Sequence, residues 1–552
     1  MPGPPLILAN LRFGPLDWAV IVGYFALLAG VGIVVSRRTR TADDFFLGGR
    51  RMPMWAVAFS LLASATSAAT FIGGPEEAYV GNLTYISSNI GTALAVVLVA
   101  VIFIPAFYRH KVTTVYDLLR DRFGPGARTA ASLTFMIGRV VASGSRIFVA
   151  ALPAAMILFG DTQAWQMVLA IVVITAAGIL TACFGGIRSV IWTDVIQVLV
   201  YVGAAIAAIA VLLTMIPLNL SEIITTLRET RVGEGSKLTV LRTGVDPSKP
   251  VWGLNFAESY TLLTAIFGFS LLNLAAYGTD HDLTQRMLTC KSAIRGSGSA
   301  LMALLFNLPI LFLFMSIGPL LFIVYQRPDL MGERWPGAPP TDSSKVFLQF
   351  ILSEMPAGLK GLMMAGLFAV GVGSLNSAIG AMAATAINDF YKPLRPGRDD
   401  AHYARRARVA VVAWGCILGL FACWCIVWYA TKDAATLIQF VLGAMTFAYA
   451  GLLGVFLTAL LTRRGTSRSC IVAIIVGFLL VLLMQPTVWG WWTGLSSLTR
   501  TTPTNPDDWR LGELRIAFPW RLTLAVTVCF IIAAWPRGPR PTTQAQDEAG
   551  RA

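Results

Sequence analysis

Apolar runs of about 20 residues, the length a helix needs to cross a bilayer, recur in this chain from Trp18 to Trp535, and no other feature restricts its fold as much. Backbone in hydrocarbon must satisfy its own polar groups, which leaves helices and closed barrels, and runs this long and this apolar are helices. With 56% hydrophobic and 13% charged residues the sequence lies outside the soluble globular range. No polar block long enough for a second domain separates the runs. Thirteen or so transmembrane helices are expected, at 18–35, 51–81, 83–107, 130–158, 165–182, 190–216, 260–277, 300–324, 361–387, 409–429, 434–461, 471–484 and 518–535.

The net charge of +14 could suggest a nucleic-acid partner, but the basic residues sit in short loops between the runs. Placing the helices alternately puts Arg37, Arg38, Arg40, Arg50 and Arg51 on one side, together with Arg109, Lys111, Arg120, Arg122, Arg286, Lys291, Arg295, the segment 392–408, Arg463, Arg464 and Arg468. The positive-inside rule makes that side cytoplasmic. The expectation is therefore a multi-pass protein of the cell (inner or plasma) membrane, N-terminus outside and C-terminus inside, with a disordered polar tail from Pro536. Residues 1–17 lack the basic start and small-residue cleavage pattern of a secretory signal, so the first apolar run is expected to stay as a helix. The seven cysteines lie in or near the runs and suggest neither a disulfide framework nor a metal site.

Within this pattern the stretch 51–81 stands apart. Its centre, 63–70, is all Ala, Ser and Thr, and Gly73, Gly74 and Pro75 follow. Small and hydroxyl residues let a helix loosen at mid-bilayer, where irregular backbone is tolerated only if it is buried in protein or lines a polar cavity. An ion or solute site is one reading; a close helix-packing seam is the other. A second run interrupted by small residues, with Gly268 in IFGFSLLNLAAYG, opens another group of helices. Paired interrupted helices point to inverted repeats around a midplane site. The expected organisation is an extracellular N-terminus (1–15), a peripheral helix (16–36), a first repeat of five helices (53–216), an extracellular loop (217–256), a second repeat (257–461), two peripheral helices (469–536) and a cytoplasmic tail (537–552).

Four stretches carry a resemblance: DDFFLGGRRMPMWAVAFSLLASATSAATFIG, FGGIRSVIWTDVIQ (184–197), TDHDLTQR (279–286) and GLMMAGLFAVGVGSLNSAIGAMAATAINDFY (361–391). In this order and spacing they resemble the sodium:solute symporter family across roughly 42–461. The resemblance implies an all-α membrane protein with a five-plus-five inverted-repeat (APC/LeuT-like) core and extra flanking helices. It also implies sodium-coupled uptake of a small organic solute by alternating access, with sodium as the coupling ion and no other cofactor. The partners expected are solute, sodium and lipid bilayer, with no nucleic acid and no obligate protein partner evident.

Read physically, Val370, Ser374 and Ser377 share one helix face, and carbonyls at a helix break plus hydroxyls suit a hard cation. In proteins this chain resembles, sodium takes two carbonyls from the first core helix, one from the eighth, and two adjacent hydroxyls. The matching positions are Ala63, Thr66, Val370, Gly373 and Ser374, and Gly373 departs from the pattern because it lacks the hydroxyl. Some relatives hold a second sodium at residues matching Asp194, Asn376 and Ser377; the other reading of Asp194 is an interfacial acid held by Arg188 or water. Ala65, Ala69, Thr70, Asn273 and Gln439 match or lie near family positions that face solute, and the two alanines replace polar groups found in sugar carriers.

Arg146 lies near the centre of its helix with Arg139 two turns earlier. A guanidinium at that depth faces a cavity or a counter-ion, and its fork suits a carboxylate. It points to an organic anion such as a monocarboxylate, the competing role being a structural pair with Glu76, Glu77 or Asp194, or snorkelling. Asp280, Asp282 and Arg286 in TDHDLTQR are expected to lock helix ends; His281 between two acids is too sparse for a metal site. An enzyme is disfavoured by the absence of HExxH, GxSxG or paired mid-membrane acids, and a channel by the absence of a filter-like loop. Proton coupling, a neutral solute such as a sugar or amino acid, and a transporter-like sensor stay open as alternatives.

Overall fold

A computed structural model of the chain describes residues 13–36, 47–184, 186–233, 235–245, 255–430, 436–485, 488 and 516–535. The expected arginines 37, 38 and 40, part of the long loop (246–254) and the tail from Pro536 lie outside the described residues.

Among the described residues the regular structure is helical apart from a hairpin of two short strands, Arg231–Val232 against Gly235–Ser236. The apolar helices are α1 (Pro15–Ser36), α2 (Met54–Ala65), α3 (Ala68–Val80) and α4 (Thr84–Arg109). After the short α5 (Asp117–Phe123) come α6 (Pro125–Phe159), α7 (Ala164–Phe184), α8 (Ile187–Met215) and the surface helix α9 (Leu220–Glu229). Then follow α10 (Thr264–Gly278), the short α11 (His281–Leu288), α12 (Ala293–Gln326), α13 (Val346–Ser353), α14 (Leu359–Leu394), α15 (Asp400–Ala430), α16 (Leu437–Leu461), α17 (Ser467–Leu483) and α18 (Phe518–Ala534). Among the described residues seven helices can span a bilayer by length and composition, or nine with each of two bent pairs taken as one span. Four further apolar helices, α7, α10, α17 and α18, are shorter. The thirteen expected runs all coincide with these helices, although a count of thirteen crossings does not follow from length and composition.

The chain breaks where its small residues allow it. α2 ends with the Thr66 amide bonded to the Leu62 carbonyl, Thr66 and Ser67 are extended, and α3 leaves at 60° to α2. Serine and threonine compete with the helical ladder for backbone hydrogen bonds, and alanine adds no bulk to oppose the bend. In α10 the counterpart is gentler: a π-helical turn, Thr264–Phe269, widens the helix without breaking it. It sits so close to α4 that a side chain at Gly91 would overlap the Ala265 carbonyl.

The bundle has two chemically distinct ends. At the basic end Arg50 reaches the Val112 carbonyl, Arg122 the Thr462 carbonyl, and Arg128 bonds Asp389 at 2.6 Å. At the opposite, loop end Asp17 accepts the Gly358 and Gly361 amides, fastening α1 to the start of α14. There too Lys237 is almost fully buried, donating to the carbonyls of Tyr79 (2.5 Å) and Gly81 (2.9 Å) with its ammonium 4.3 Å from the Phe322 ring centre. Burial pushes the Lys237 pKa down to about 8.

Candidate functional site: a polar cavity at the broken helix

The break between α2 and α3 takes the ladder donor from the Thr66 carbonyl, because the Thr70 amide turns to Ser67 O, and the extended Ser67 ends the ladder that began at α2 beside Ala63. Freed carbonyls in a low-dielectric interior demand another partner. α14 packs against both halves of the break and against α8. On it, Val370 is buried and Ser374 donates its hydroxyl to Gly371 O at 3.0 Å, which leaves the Ser374 lone pairs to accept a cation. Gly373 faces Gln197 of α8: a Cβ built on the glycine would overlap the Gln197 Oε1 and stand 3.0 Å from its Cδ and Nε2.

Beside the break lies a cavity of about 120 Å³. On the same measure one water needs roughly 10–15 Å³, so the space is that of a solute rather than a packing defect. Ala65, Ala69, Thr70, Arg146 and Asn273 line it, as does Thr66. Gln439 is not among the lining residues; its amide bonds Glu77 at 3.2 Å.

Arg146 has no carboxylate within ion-pair distance among the described residues. Its Nη1 lies 3.4 Å from Ser64 O, its Nη2 3.5 Å from the Met445 sulfur, and its Nε is buried without a partner. Each acid offered by the sequence as a structural partner is held elsewhere. Glu76 accepts Ser343 Oγ (2.9 Å) and the Leu437 amide at the start of α16 (3.0 Å), Glu77 accepts Thr436 Oγ1 and Gln439, and Asp194 is bound to Arg286. Amides and hydroxyls share the lining: Asn273, whose Nδ2 gives one of its two hydrogens to Phe269 O, Ser88, Asn89 and Thr92 of α4, and Asn307 of α12, which donates to Asn89 Oδ1 at 2.8 Å.

At the basic end the cavity is floored by a buried ionic cluster. Arg139 and Tyr449 line the cavity and reach down to it: Arg139 pairs with Asp280 (3.1 Å) and Asp282, and the Tyr449 hydroxyl donates to Asp280 (2.7 Å). Arg286 bonds Asp282 (2.6 Å), Asp194 (3.0 Å) and Ser60 Oγ (2.8 Å), and Ser60 donates to Asp194 at 2.5 Å. Ser377 donates to Asp282. Asp194 and Ser377 thus meet the same guanidinium–carboxylate pair, whereas Asn376 lines a smaller cavity with Gln285 and Ser377. Asp194 is held by Arg286 and Ser60 rather than by Arg188. Burial pushes the His281 pKa down to about 4, so this histidine is neutral near pH 7 and adds no charge to the cluster.

Sequence reasoning passed over Gln197, Ser60, Tyr449 and the cavity-lining Ser88, Asn89, Thr92 and Asn307. For Gln197 a signal was present: it follows Asp194 by three residues on one helix face.

Comparison with known proteins agrees with this geometry. Residues 45–477 match the sodium:solute symporter family. The sodium/sialic acid symporter SiaT of Proteus mirabilis (strain HI4320) is 30% identical over 489 residues, covering 85% of this chain and 89% of SiaT. The sodium/iodide cotransporter of Homo sapiens is 29% identical over 395 residues, 69% of this chain and 56% of that protein. A solved Na+-coupled sialic acid symporter, substrate-bound and outward-open, superposes with a TM-score of 0.76 at 26% identity over 96% of this chain and 100% of its own. The nucleobase-cation-symport-1 transporter Mhp1, at 14% identity and a TM-score of 0.53, shares the LeuT-like fold alone. With a broken first core helix, a solute-sized polar cavity beside it and the family match across most of its length, this chain belongs to the sodium:solute symporter family and is a sodium-coupled symporter of small solutes.

Proposed function

We propose that the solute is an organic anion whose carboxylate is taken by Arg146. The observation that carries this reading is a guanidinium that lines the cavity, its Nε enclosed and unpartnered, with no carboxylate within ion-pair distance among the described residues. An uncompensated buried charge costs several kcal/mol, and a bound carboxylate, engaged by two parallel N–H donors, offsets that cost where no side chain does. The rim of Asn273, Asn89, Asn307, Ser88 and Thr92 supports a solute that also carries hydroxyl or amide groups: Asn307 donates to Asn89 Oδ1, and Asn89, Thr92 and Asn273 donate to backbone carbonyls, but each amide and hydroxyl keeps a further hydrogen or lone pair for a solute. A sialic acid, the solute named for two relatives, has this chemistry. Sodium sits at the Ala63 and Thr66 carbonyls, the Val370 carbonyl and the Ser374 hydroxyl beside Gly373.

The orientation that goes with this reading puts the basic end in the cytoplasm, by the positive-inside rule. The N-terminus is then outside and the C-terminus inside, with repeats at 53–216 and 257–461, and the ionic floor closes the cytoplasmic side of an outward-facing cavity. The test is counterflow in proteoliposomes against sialic acids, short monocarboxylates, neutral sugars and amino acids. The expected result is sodium-dependent exchange of a carboxylate solute, with a hydroxylated acid preferred to a short one and the neutral amide of the same acid not exchanged. Exchange of neutral sugars in preference to any acid would overturn it.

A further inference from the structure

We propose that Arg139 and Tyr449 form a second station for the solute's carboxylate, between Arg146 and the basic end, and that Asp280 occupies it while the floor is closed; the inference rests on the carboxylate reading of Arg146 given above. Both side chains line the cavity that Arg146 lines. Arg139 precedes Arg146 by seven residues of α6, so the two guanidinium groups share one helix face about 10 Å apart along the axis. Between them on that face stand the small Ala142 and Ser143. α16 packs alongside α6 and keeps the same order: Met445 meets Arg146, and Tyr449, one turn further, meets the acid that Arg139 holds.

The station is seen with a carboxylate in it, the chain's own. Asp280 Oδ2 accepts the Tyr449 hydroxyl at 2.7 Å and lies 3.1 Å from Arg139 Nη1, while Oδ1 accepts the Asp282 amide at 3.0 Å and caps α11. A guanidinium and a hydroxyl converging on one carboxylate oxygen are the donors that an organic acid needs. Beside them Arg139 Nε is buried without a partner, so Asp280 and Asp282 do not exhaust the guanidinium.

Both acids paired with Arg139 belong to the first turn of α11 and its cap, and α11 packs chiefly on α2, α12 and α14. When the floor opens the two acids leave together, and Arg139 and Tyr449 stay behind on α6 and α16. A buried guanidinium is then without a counter-charge, and a carboxylate leaving Arg146 supplies one. The exchange is one acid for another on the same donors. A carboxylate solute therefore lowers the cost of opening the floor, and a neutral solute does not.

The test is chemical rescue in the purified full-length protein, with acetate as the probe and sodium held constant. Asp280→Ser keeps a cap for α11 and vacates the carboxylate position. Its Tm should rise saturably with acetate, on the order of 2 °C beyond any gain in wild type, whose Arg146 also takes the probe. Chloride and acetamide should give no such rise, and adding Tyr449→Phe to Asp280→Ser should abolish it. Where Asp280→Ser is poorly folded, purification throughout in acetate is the second measurement: recovery of folded protein by acetate and not by chloride is the same rescue, and its failure refutes the station. If Asp280→Ser gains no more from acetate than wild type does, or keeps its extra gain with Tyr449→Phe, the station is overturned while the reading of Arg146 stands. If Arg146→Gln binds the acid exchanged in counterflow as wild type does, that reading falls and the station falls with it.

Discussion

A charge in mid-helix is expensive in a membrane, and that expense narrows the explanations for Arg146 to few. What the sequence could not give was its isolation: the competing partners Glu76, Glu77 and Asp194 all sit at plausible depths, and only their bonds to Leu437, Thr436 and Arg286 remove them. Gln197 shows the opposite case. An uncharged amide in a helix carries no cost that composition can reveal, and its close approach to Gly373 on another helix comes from packing alone. The substitution that reads Arg146 follows from its fork. Arg146→Lys keeps the charge and loses the paired donors, so affinity for the carboxylate solute should fall about tenfold, the worth of one charge-assisted hydrogen bond. Arg146→Gln should lose more, roughly a hundredfold, because the carboxylate is then desolvated without a counter-charge. Solute titrations on variants with unchanged Tm measure both, and wild-type affinity in the pair would remove Arg146 from the solute site.

At the scale of elements, the break at Thr66 and Ser67 was legible from a run of Ala, Ser and Thr where leucines would be expected. The π-helical turn at the start of α10 was not, since it comes from packing against α4 and α18 rather than from local sequence. Nor was the way α3, the half of the broken helix away from the basic end, is held. The Glu76 carboxylate accepts the first amide of α16, a favourable place for an anion at a helix N-terminus. Lys237 caps the other end of α3, where carbonyls without ladder partners attract a cation. Lys237→Met keeps the stem against Phe322 and removes the donors. It should loosen the last turn of α3 and the segment 230–240 by about 2 kcal/mol, the scale of a hydrogen bond to a charged group. Amide hydrogen exchange should therefore speed up there and stay unchanged in α14. Uniform protection would mean that the hairpin docks without the lysine.

At the scale of the whole molecule, hydropathy and the alternation of charged loops were enough for the helix order, while the ionic floor joins residues up to 226 positions apart that no local rule brings together. Asp282 is its junction: it binds Arg139 of α6, Arg286 of α11 and Ser377 of α14, so three elements meet on one carboxylate. In alternating access the floor must open toward the basic end while the opposite end closes, so these bonds belong to one of two states. Asp282→Asn leaves two guanidinium groups facing an amide that can accept from only one of them and whose own NH2 opposes the other. Breaking a buried pair costs roughly 3–5 kcal/mol, and the cost falls on the closed-floor state alone. The equilibrium should shift toward the state open at the basic end. The solute's apparent affinity from the other side should fall in proportion to the lost population, and hydrogen exchange should rise in α11 and the first turns of α8. Asp194→Asn, which leaves the three-element junction intact, should shift the equilibrium less. Equal protection of α11 in wild type and Asp282→Asn would mean that the cluster stabilises both states alike and is not the gate.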